Sequence, residues 1–516
     1  MYGNLIQDKV TDFEVVVGLK EADKPEMINF KNYELAINML NKHVTKPSSI
    51  RIHADVDMDG IGAAYIVQEF LNELGCVGRI KSCINKDKEH GLCSKHINYV
   101  NDNAKCDLFI IVDSSSNDIE IIKELNCDVL VIDHHAVNHK EYTGKTKGGN
   151  YVIINNMLDN EEGGYKADSA MSGALVVYEL FRHYENRYCD KSILEGRMLY
   201  QWVGVTLISD VIKTSNNRNQ WYMQKTVHNM DVEPSLSRML HKLTQFEAFL
   251  TKSFIGFTLA PLFNKAIRAG ASQHALSIAL GFPDRVLELK QYEKIQQDIV
   301  EKALDNVEET SNLCFRNLGI DNIHKNYSGL IATKVLDEYK KSTIAYEHKG
   351  TYIGGSFRGL YSNINYQEEL EKLGIFAQGH EGAFGVKIPL DRVKEVSNKI
   401  ADIEKDNHYR PYLTMCGIRE DYRGVHHIND FDSFRKDGWL WKIGMANSTL
   451  SSSEQILITT SRDNITLERT EEKYKIYKFF TLECMAFEEV VTPFVNIYLE
   501  YGKELRAFLR KETNLK

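Results

Sequence analysis

The chain has 516 residues and a formal net charge of −9, and 43% of its residues are hydrophobic. This length favours about two to four domains, and the composition is typical of globular proteins. No apolar run is long enough to span a bilayer, so we expect no association with membranes. The nine cysteines are scattered without a Cys-x-x-Cys pair, and the N-terminus has no signal-peptide pattern. We therefore expect a reducing, cytoplasmic setting with free thiols.

The first half of the chain is predicted to form an α/β domain. Residues 1–45 are expected to be a peripheral helical segment, and residues 46–280 the catalytic domain. Between residue 50 and about residue 160, apolar strands alternate with helices, which predicts a parallel sheet. The predicted strands are 51–54, 77–84, 108–112 and 129–132.

Three further units are predicted in the second half. Residues 281–312 are expected to form a long connecting helix, because residues 285–310 contain almost no helix breakers and many charges. Strands and glycines return in residues 313–405, which predicts a smaller α/β domain. Residues 406–516 are expected to be rich in β-structure, with a final helix near 492–511. The predicted fold class is therefore α/β with an additional β-rich unit.

An acidic segment follows the first predicted strand. There the chain places a histidine, three alternating aspartates and a glycine, namely His53, Asp55, Asp57, Asp59 and Gly60. Crowded carboxylates that are withdrawn from water are costly unless a cation neutralises them. Because ligands collect at the carboxyl ends of parallel strands, the segment predicts a divalent metal site at that edge of the sheet.

Two other interpretations of this segment are a calcium loop and a solvated acidic loop. An EF-hand loop that began at Asp55 would need a glutamate at its twelfth position, where this chain has Ile66. The residues after Gly60 are apolar or small, as at the start of a buried helix. The context is therefore strand, turn and helix, which favours a catalytic metal site.

Three more aspartates each end an apolar segment, which we expect to be a strand. They are Asp113, Asp210 and Asp133, and the last is followed by His134 and His135. One such aspartate usually caps the following helix, and one histidine is usually structural. A series of them beside the acidic segment instead favours ligands that share one metal site.

These motifs resemble, in order and context, the four motifs of the DHH phosphoesterase superfamily, and His53 fits the form seen in its polyphosphatase branch. Further segments resemble RecJ, the branch that degrades single-stranded DNA from the 5′ end. The residues that carry this resemblance are Ser172, Ala260, Pro261, Asn264, Arg268, Gly355, Ser356, Arg358, Gly379, His380 and Gly385. The resemblance covers roughly residues 48–400. RecJ proteins continue with an OB-fold, so residues 406–516 are expected to be OB-like or a replacement.

The resemblance implies two manganese ions, with magnesium as the alternative, and hydrolysis of phosphodiester bonds by a two-metal mechanism. Mixed imidazole and carboxylate ligands suit Mn²⁺ better than an all-oxygen Mg²⁺ site. In the family one aspartate bridges both ions, and Asp113 is at that position. The other expected ligands are His53 and Asp57 for one ion, and Asp59, His134 and Asp210 for the other.

The remaining motif residues are expected to support the site or to bind the substrate. Asp55 and His135 would support the metal centre or contact the phosphate, and Asp133 would orient a histidine. The implied substrate-binding residues are Asn264, Arg268, Ser356, Arg358 and His380. Arginine suits bidentate phosphate contacts. Surface ion pairs, helix packing and a structural histidine are the simpler interpretations of these side chains.

The sequence therefore predicts a metal-dependent 5′→3′ exonuclease on single-stranded DNA that acts in DNA repair and recombination, with a single-strand-binding protein or a helicase as partner. One alternative is a DHH phosphodiesterase for short oligoribonucleotides or cyclic dinucleotides, whose chains are usually shorter and lack the Ala-Pro-x-x-Asn segment. Another is a degenerate scaffold that binds a replication partner. Intact ligands at every motif argue against that alternative.

Overall fold

The structure is a computed structural model of the chain. It describes residues 21–405 with short gaps, followed by the strands found between residues 418 and 511. The gaps are at 77, 102–105, 213–215, 228, 245–247, 311–312, 340 and 361–363. The first 20 residues of the predicted helical segment lie outside the described residues; in the rest of that segment, Tyr33–Val44 is a helix.

A six-stranded sheet with the order β2-β1-β3-β4-β6-β5 forms the first domain. Its strands are β1 (Ser49–Ala54), β2 (Arg79–Ile84), β3 (Leu108–Val112), β4 (Asp128–Asp133), β5 (Thr143–Lys145) and β6 (Asn150–Asn155). All neighbours are parallel except β5, which pairs antiparallel with β6. The predicted parallel sheet is confirmed, and each of the four predicted strands is present.

Helices cover both faces of this sheet. They are α1 (Tyr33–Val44), α2 (Met58–Glu73), α3 (Ser94–Asn101), α4 (Ile119–Lys123), α5 (Gly173–Tyr188), α6 (Ile193–Gly196), α7 (Tyr200–Ser209), α8 (Asn217–Thr226), α9 (Pro234–Thr244), α10 (Lys252–Phe254), α11 (Ala260–Arg268) and α12 (Ser272–Gly281). Every residue of β3 is buried, as expected for a parallel strand covered on both sides. Ile110 faces the core beneath α2 and α5, while Ile111 faces the core beneath α4.

The connection to the second domain is less helical than the sequence suggests. A 3₁₀-helix (Pro283–Lys290) precedes α13 (Gln291–Leu304), and a strand (Val307–Glu309) follows it. The prediction of one continuous helix is therefore wrong, because only the middle of the segment is α-helical. The helix ends before Asp305 and Asn306, whose side chains compete for backbone hydrogen bonds.

The second domain contains a sheet with the order β11-β12-β10-β9-β8-β7. Its strands are β7 (Val307–Glu309), β8 (Leu313–Asn317), β9 (Ser342–Lys349), β10 (Tyr352–Arg358), β11 (Phe376–His380) and β12 (Ala383–Pro389). Its helices are α14 (Ser328–Tyr339), α15 (Tyr366–Lys372) and α16 (Val393–Lys405). These helices bury two apolar cores against the sheet, which confirms the predicted smaller α/β domain.

The C-terminal unit is β-rich, as predicted. Its described strands are β13 (Ile418–Glu420), β14 (His426–Ile428), β15 (Ile456–Ser461), β16 (Thr466–Thr470), β17 (Lys475–Phe479), β18 (Leu482–Ala486), β19 (Phe494–Tyr501) and β20 (Leu505–Lys511). The helix predicted near 492–511 is wrong, because β19 and β20 pair there as antiparallel strands. The aromatic and β-branched residues of β19 favour that state. The OB-like fold and the domain boundaries stay predictions.

In the described parts of the first two domains, polar contacts around the loop after β2 join one domain to the other. Lys325 Nζ lies 2.6 Å from Glu89 Oε1, and the Lys88 backbone N–H donates to Asn326 Oδ1 at 3.2 Å. The Asn326 side-chain amide also donates to the Arg268 carbonyl at 3.2 Å. The loop after β2 and the end of α11 are thus held against the start of α14. Within the described residues, none of the helices is both long and apolar enough to cross a membrane.

The turn between β1 and α2 requires a residue without a side chain. A Cβ atom at Gly60 would lie 2.5 Å from the carbonyl oxygen of Asp55, whereas one at Gly196 would meet nothing within 4 Å. We expect Gly60→Ala to lower the free energy of unfolding by about 1–3 kcal/mol, because backbone must move to relieve the contact. Gly196→Ala is the matched control and should leave stability unchanged or slightly raised. Urea unfolding of both variants tests this; equal midpoints would contradict the proposed steric constraint.

Candidate metal centre

The parallel sheet brings the predicted acidic residues to one edge. Asp113 directly follows β3, and Asp133 is the last residue of β4. Asp57 and Asp59 lie at the start of α2, immediately after β1. Asp210 also reaches this edge, but it caps the helix α7 and does not end a strand. The strand predicted before Asp210 is therefore wrong, although the side chain lies where the prediction put it.

Three groups of candidate ligand atoms form among the described residues. Within each group the atoms lie within 4.8 Å of one another. The groups are Asp55, Asp57 and Asp113; Asp59, His134 and Asp210; and Asp113, His134 and His135. Asp113 and His134 each belong to two groups, and of the two only the Asp113 carboxylate has two oxygens with which it could bridge two ions. His53 belongs to none of them.

Asp113 is the most constrained of these residues. Both carboxylate oxygens are buried without a hydrogen-bond partner. Burial, together with the charges of Asp59 and Asp57, raises the pKa of Asp113 well above its usual range. Its backbone is left-handed, with φ at 65°, and a Cβ atom at Gly173 would lie 2.5 Å from Asp113 Oδ1. A buried carboxylate with unfilled acceptors fits a divalent cation.

Two other aspartates accept hydrogen bonds from helix N-termini. Asp57 Oδ1 accepts the backbone N–H groups of Asp59 and Gly60, both at 3.0 Å. Asp59 accepts the N–H groups of Gly173 at 2.6 Å and Ala174 at 3.0 Å, at the start of α5. Burial nevertheless raises the pKa of Asp59. These contacts fix both carboxylates toward the centre of the cluster.

The orientation of His134 leaves one ring nitrogen for a ligand. Nδ1 donates to the carbonyl of Met171 at 2.8 Å, so Nδ1 carries the proton. Nε2 lies 3.2 Å from Asp113 Oδ1, 3.8 Å from Asp210 Oδ2 and 3.9 Å from Asp59 Oδ2. An imidazole whose second nitrogen bonds a carbonyl is a typical metal ligand.

Asp133 faces away from the cluster of free ligand atoms. Its oxygens accept hydrogen bonds from the backbone of Ser116, His134 and His135 and from His135 Nδ1 at 2.9 Å. Burial alone would lower the pKa of His135. The charge and the hydrogen bond of the adjacent Asp133 carboxylate have a larger effect, and the pKa of His135 is raised to about 10. Asp133 therefore orients His135.

Asp55 contacts a residue of the loop after β2. Its Oδ2 lies 2.5 Å from His90 Nδ1, and the Gly91 N–H donates to Oδ1 at 3.3 Å. The charge of Asp55 raises the pKa of His90. His90 is half exposed, so this pair lies at the rim of the cluster.

His53 lies in β1 with Cys83 Sγ 3.6 Å from its Nδ1. Its Nε2 is buried without a hydrogen-bond partner. Burial lowers the pKa of His53 to about 3, so the ring is neutral and Nε2 can accept a cation.

Cationic side chains gather beside the acidic cluster, across the contact between the two domains. Burial lowers the pKa values of Lys88, Arg268 and Arg358, and the charge of Arg268 lowers those of the other two further. None of the three forms an ion pair with a carboxylate in the described part of the chain. Half-buried cations without a carboxylate partner fit an anionic ligand. We call these three residues the cationic cluster.

The sequence prediction included Arg268 and Arg358 but missed Lys88. Lys88 lies in the loop after β2, whose carboxyl end is at the same sheet edge as β1 and β3. The rule that located the aspartates could therefore have located Lys88 as well.

The other predicted substrate-binding residues are placed as follows. Ser356 Oγ lies 2.8 Å from Ser328 Oγ, and an added Cβ at Gly329 would lie 2.7 Å from Arg358 Nη2, so both residues face the start of α14. Asn264 lies one turn before Arg268 on α11 and is half-buried. His380 is the last residue of β11, opposite Ala383, and its side chain lies outside the described part of the structure.

Comparison with known proteins agrees with this geometry. Residues 49–199 match the family model for the DHH family, N-terminal domain. Residues 49–199 therefore carry a domain of the DHH family. The resemblance predicted from the motifs is thereby confirmed.

The relatives include a protein of the SPbeta prophage of Bacillus subtilis, YorK, which is assigned as a single-strand DNA-specific exonuclease. It is 23% identical over 81% of this chain and 74% of its own length. The crystal structure of RecJ from Thermus thermophilus in complex with Mn²⁺ is 16% identical, with a TM-score of 0.69 over 98% of this chain and 79% of that one. The Mg²⁺ complex of the same protein has a TM-score of 0.63 and 15% identity. These structural likenesses show a shared fold.

The crowded carboxylates should make the metal-free protein sensitive to pH. Burial raises the pKa values of Asp113 and Asp210, and neighbouring aspartates raise them further. Above the ordinary carboxyl pKa, the folded state thus binds more protons than the unfolded state, and stability falls as pH rises through the raised values. In EDTA, Asp113→Asn should therefore melt about 2–4 °C higher than the wild type at pH 8, the shift that roughly 1 kcal/mol gives. Mn²⁺ should reverse that order.

Thermal unfolding at pH 5 and pH 8, with and without Mn²⁺, tests this. Asp128→Asn is the control, because Asp128 is equally buried but lies at the opposite end of β4, against Lys42 and His43. If the melting temperatures of the wild type and of Asp113→Asn depend on pH in the same way, the ionisation of Asp113 does not destabilise the metal-free protein.

Proposed function

We propose that the protein is a metal-dependent exonuclease that hydrolyses single-stranded DNA in the 5′→3′ direction. The observation that carries this proposal is the pair of ligand groups that share Asp113, beside a cationic cluster without carboxylate partners. The chain is a phosphoesterase of the DHH type. The substrate rests on the relatives assigned to single-stranded DNA, and the polarity rests on the resemblance to RecJ.

The donor set fits two divalent ions. Asp113 would be shared, Asp57 and His53 would complete one site, and Asp59, His134 and Asp210 the other, with Asp55 beside the first site. Mixed carboxylate and imidazole donors favour Mn²⁺ over Mg²⁺. When bound, such a pair of ions activates a water and stabilises the leaving oxygen of an in-line displacement.

The protein's own residues position these donors and the substrate. Asp133 orients His135, which is protonated at neutral pH and faces the group that contains Asp113 and His134, where it would contact a phosphate oxygen. Lys88, Arg268 and Arg358 would bind the phosphates on either side of the scissile bond, because buried cations gain most from phosphate contact. The two domains thus each supply part of the substrate site.

The first experiment is a substrate comparison with the purified full chain in Mn²⁺. Labelled single-stranded DNA, duplex DNA and single-stranded RNA of one sequence are compared with a dinucleotide, using 5′ and 3′ labels to read the direction. Release of mononucleotides from the 5′ end of single-stranded DNA supports the proposal. A marked preference for the dinucleotide or for RNA would favour the oligonucleotide phosphodiesterase, and no hydrolysis of any substrate would favour the degenerate scaffold.

Removal of the shared carboxylate should abolish hydrolysis. We expect Asp113→Asn to lower the nuclease rate at least about 1,000-fold, because charge stabilisation worth several kcal/mol is lost and each 1.36 kcal/mol is tenfold in rate. The Mn²⁺ stoichiometry, measured by calorimetry, should fall below two ions per chain. Asp128→Asn is again the buried control and should retain the nuclease rate and the Mn²⁺ stoichiometry of the wild type. Two bound ions and a near-normal rate in Asp113→Asn would exclude the bridging role.

The cationic cluster should distinguish a polymer from a dinucleotide. We expect Arg268→Ala to weaken binding of a single-stranded 30-mer and to reduce its logarithmic salt slope by about 0.7, the value for one lost phosphate contact. The loss of binding affinity should be larger for the 30-mer than for a dinucleotide. Arg285→Ala is the control, because Arg285 is exposed and paired with Glu288. Equal losses on both substrates would place Arg268 in the catalytic centre or in the fold.

A further inference from the structure

Phe257 is the most exposed large apolar side chain of the described residues. It is 75% exposed, whereas Phe282, which is the next phenylalanine in this respect, is 53% exposed. An apolar ring in water costs free energy, so a ligand that covered this ring would gain from its burial.

The backbone presents this ring on an irregular turn of helix. Ile255–Leu259 is a π-helix between α10 and α11, in which the Ala260 N–H donates to the Ile255 carbonyl. Pro261 follows and has no N–H to donate to the Phe257 carbonyl four residues earlier. The widened turn accommodates this missing bond, and such bulges are frequent at functional sites.

The π-helix lies against the end of α7, beside the metal centre. A Cβ atom at Gly256 would lie 3.6 Å from Ile208 Cγ2, and Ile208 is two residues before Asp210. The residue after Asp210 is Val211, which is 54% exposed and has the unfavourable φ of 56° for a β-branched side chain. The backbone that carries Phe257 therefore packs beside the end of α7, where the candidate ligand Asp210 lies.

Phe257 shares one helix face with the predicted substrate-binding residues. Phe257 and Thr258 are exposed, and the half-buried residues after them in α11 are Pro261, Asn264, Lys265 and Arg268. Of these, Phe257, Pro261, Asn264 and Arg268 follow one another at intervals of three or four residues. Eleven residues of helix cover about 16 Å. Stacked nucleotides in one DNA strand are about 3.4 Å apart, so this face spans several nucleotides. Its far end, Arg268, belongs to the cationic cluster.

We propose that Phe257 is a stacking site for one nucleobase of a single-stranded nucleic acid whose phosphates follow the same helix face to Arg268. This inference rests on the proposed function and deepens it, since it assigns a base-binding site. Every base has a flat face that an aromatic ring can cover, so the contact is independent of sequence. Burial of the ring on binding removes the cost of its exposure.

The test combines a protein variant with an altered strand. A series of single-stranded dT 12-mers, each with one abasic position, is titrated by fluorescence anisotropy against the metal-free wild type and Phe257→Ala. We expect Phe257→Ala to weaken binding of the intact strand about fivefold or more, the lower end for loss of one stacked base. One abasic position should weaken the wild type by a similar factor and leave Phe257→Ala unaffected by that same substitution.

Two further variants separate stacking from a structural role. Phe257→Trp should bind the strand as tightly as the wild type does. Addition of the strand should quench the tryptophan fluorescence of Phe257→Trp more than that of the wild type. Phe282→Ala is the matched control, because Phe282 is exposed but lies away from the acidic edge. It follows α12, and the Leu280 carbonyl of that helix accepts a hydrogen bond from Gln68, which is more than two turns along α2 from Asp59. Phe282→Ala should bind normally.

The outcomes also distinguish this inference from the proposed function. If the wild type binds and degrades single strands but Phe257→Ala binds the intact strand and every abasic strand as tightly as the wild type does, the stacking site is wrong and the proposed function stands. If the wild type neither binds nor degrades single strands in Mn²⁺, the proposed function fails first. Loss of binding in Phe257→Trp as large as in Phe257→Ala would assign the ring a structural role and overturn the inference.

Discussion

The concentration of carboxylates at one sheet edge is the constraint on which the rest of this structure depends. Asp55, Asp59, Asp113 and Asp133 are all almost fully buried. Buried ions cost several kcal/mol each unless partners compensate for the lost water. Backbone N–H groups and His135 satisfy Asp133, and two backbone N–H groups satisfy Asp59. Asp113 has no such partner, so its environment is completed only by a cation.

The same contacts that orient the ligands also hold the core together. Asp57 caps its own helix, α2, whereas Asp59 accepts from the first N–H groups of α5 and so ties α2 to α5. Anionic side chains at a helix N-terminus also gain from the helix dipole. The candidate ligands therefore need no separate scaffold. Gly60 is required by the close approach of the Asp55 backbone, and Gly173 by that of the Asp113 side chain.

The sequence predicted the parts of the site that depend on strand ends, because parallel strands bring their carboxyl ends to one edge whatever the loops do. Asp113 and Asp133 are such residues. The element before Asp210 was predicted as a strand and is a helix, since a short apolar run fits a buried helix as well as a strand. The final antiparallel pair, β19 and β20, was predicted as a helix for the related reason that long-range pairing overrides local pattern. The rule for strand ends would also have indicated Lys88, which follows β2 at that edge of the sheet.

The loop between β2 and α3 couples the acidic edge to the second domain. On one side His90 contacts Asp55, and on the other the Lys88 backbone contacts Asn326. Asn326 also holds the end of α11 through the Arg268 carbonyl. Lys88 and Arg268 belong to the first domain and Arg358 to the second, so their cationic cluster exists only in this arrangement of the domains. Because a single asparagine fixes the backbone beside two of the three cations, the position of the second domain relative to the acidic edge determines whether the three cations lie together.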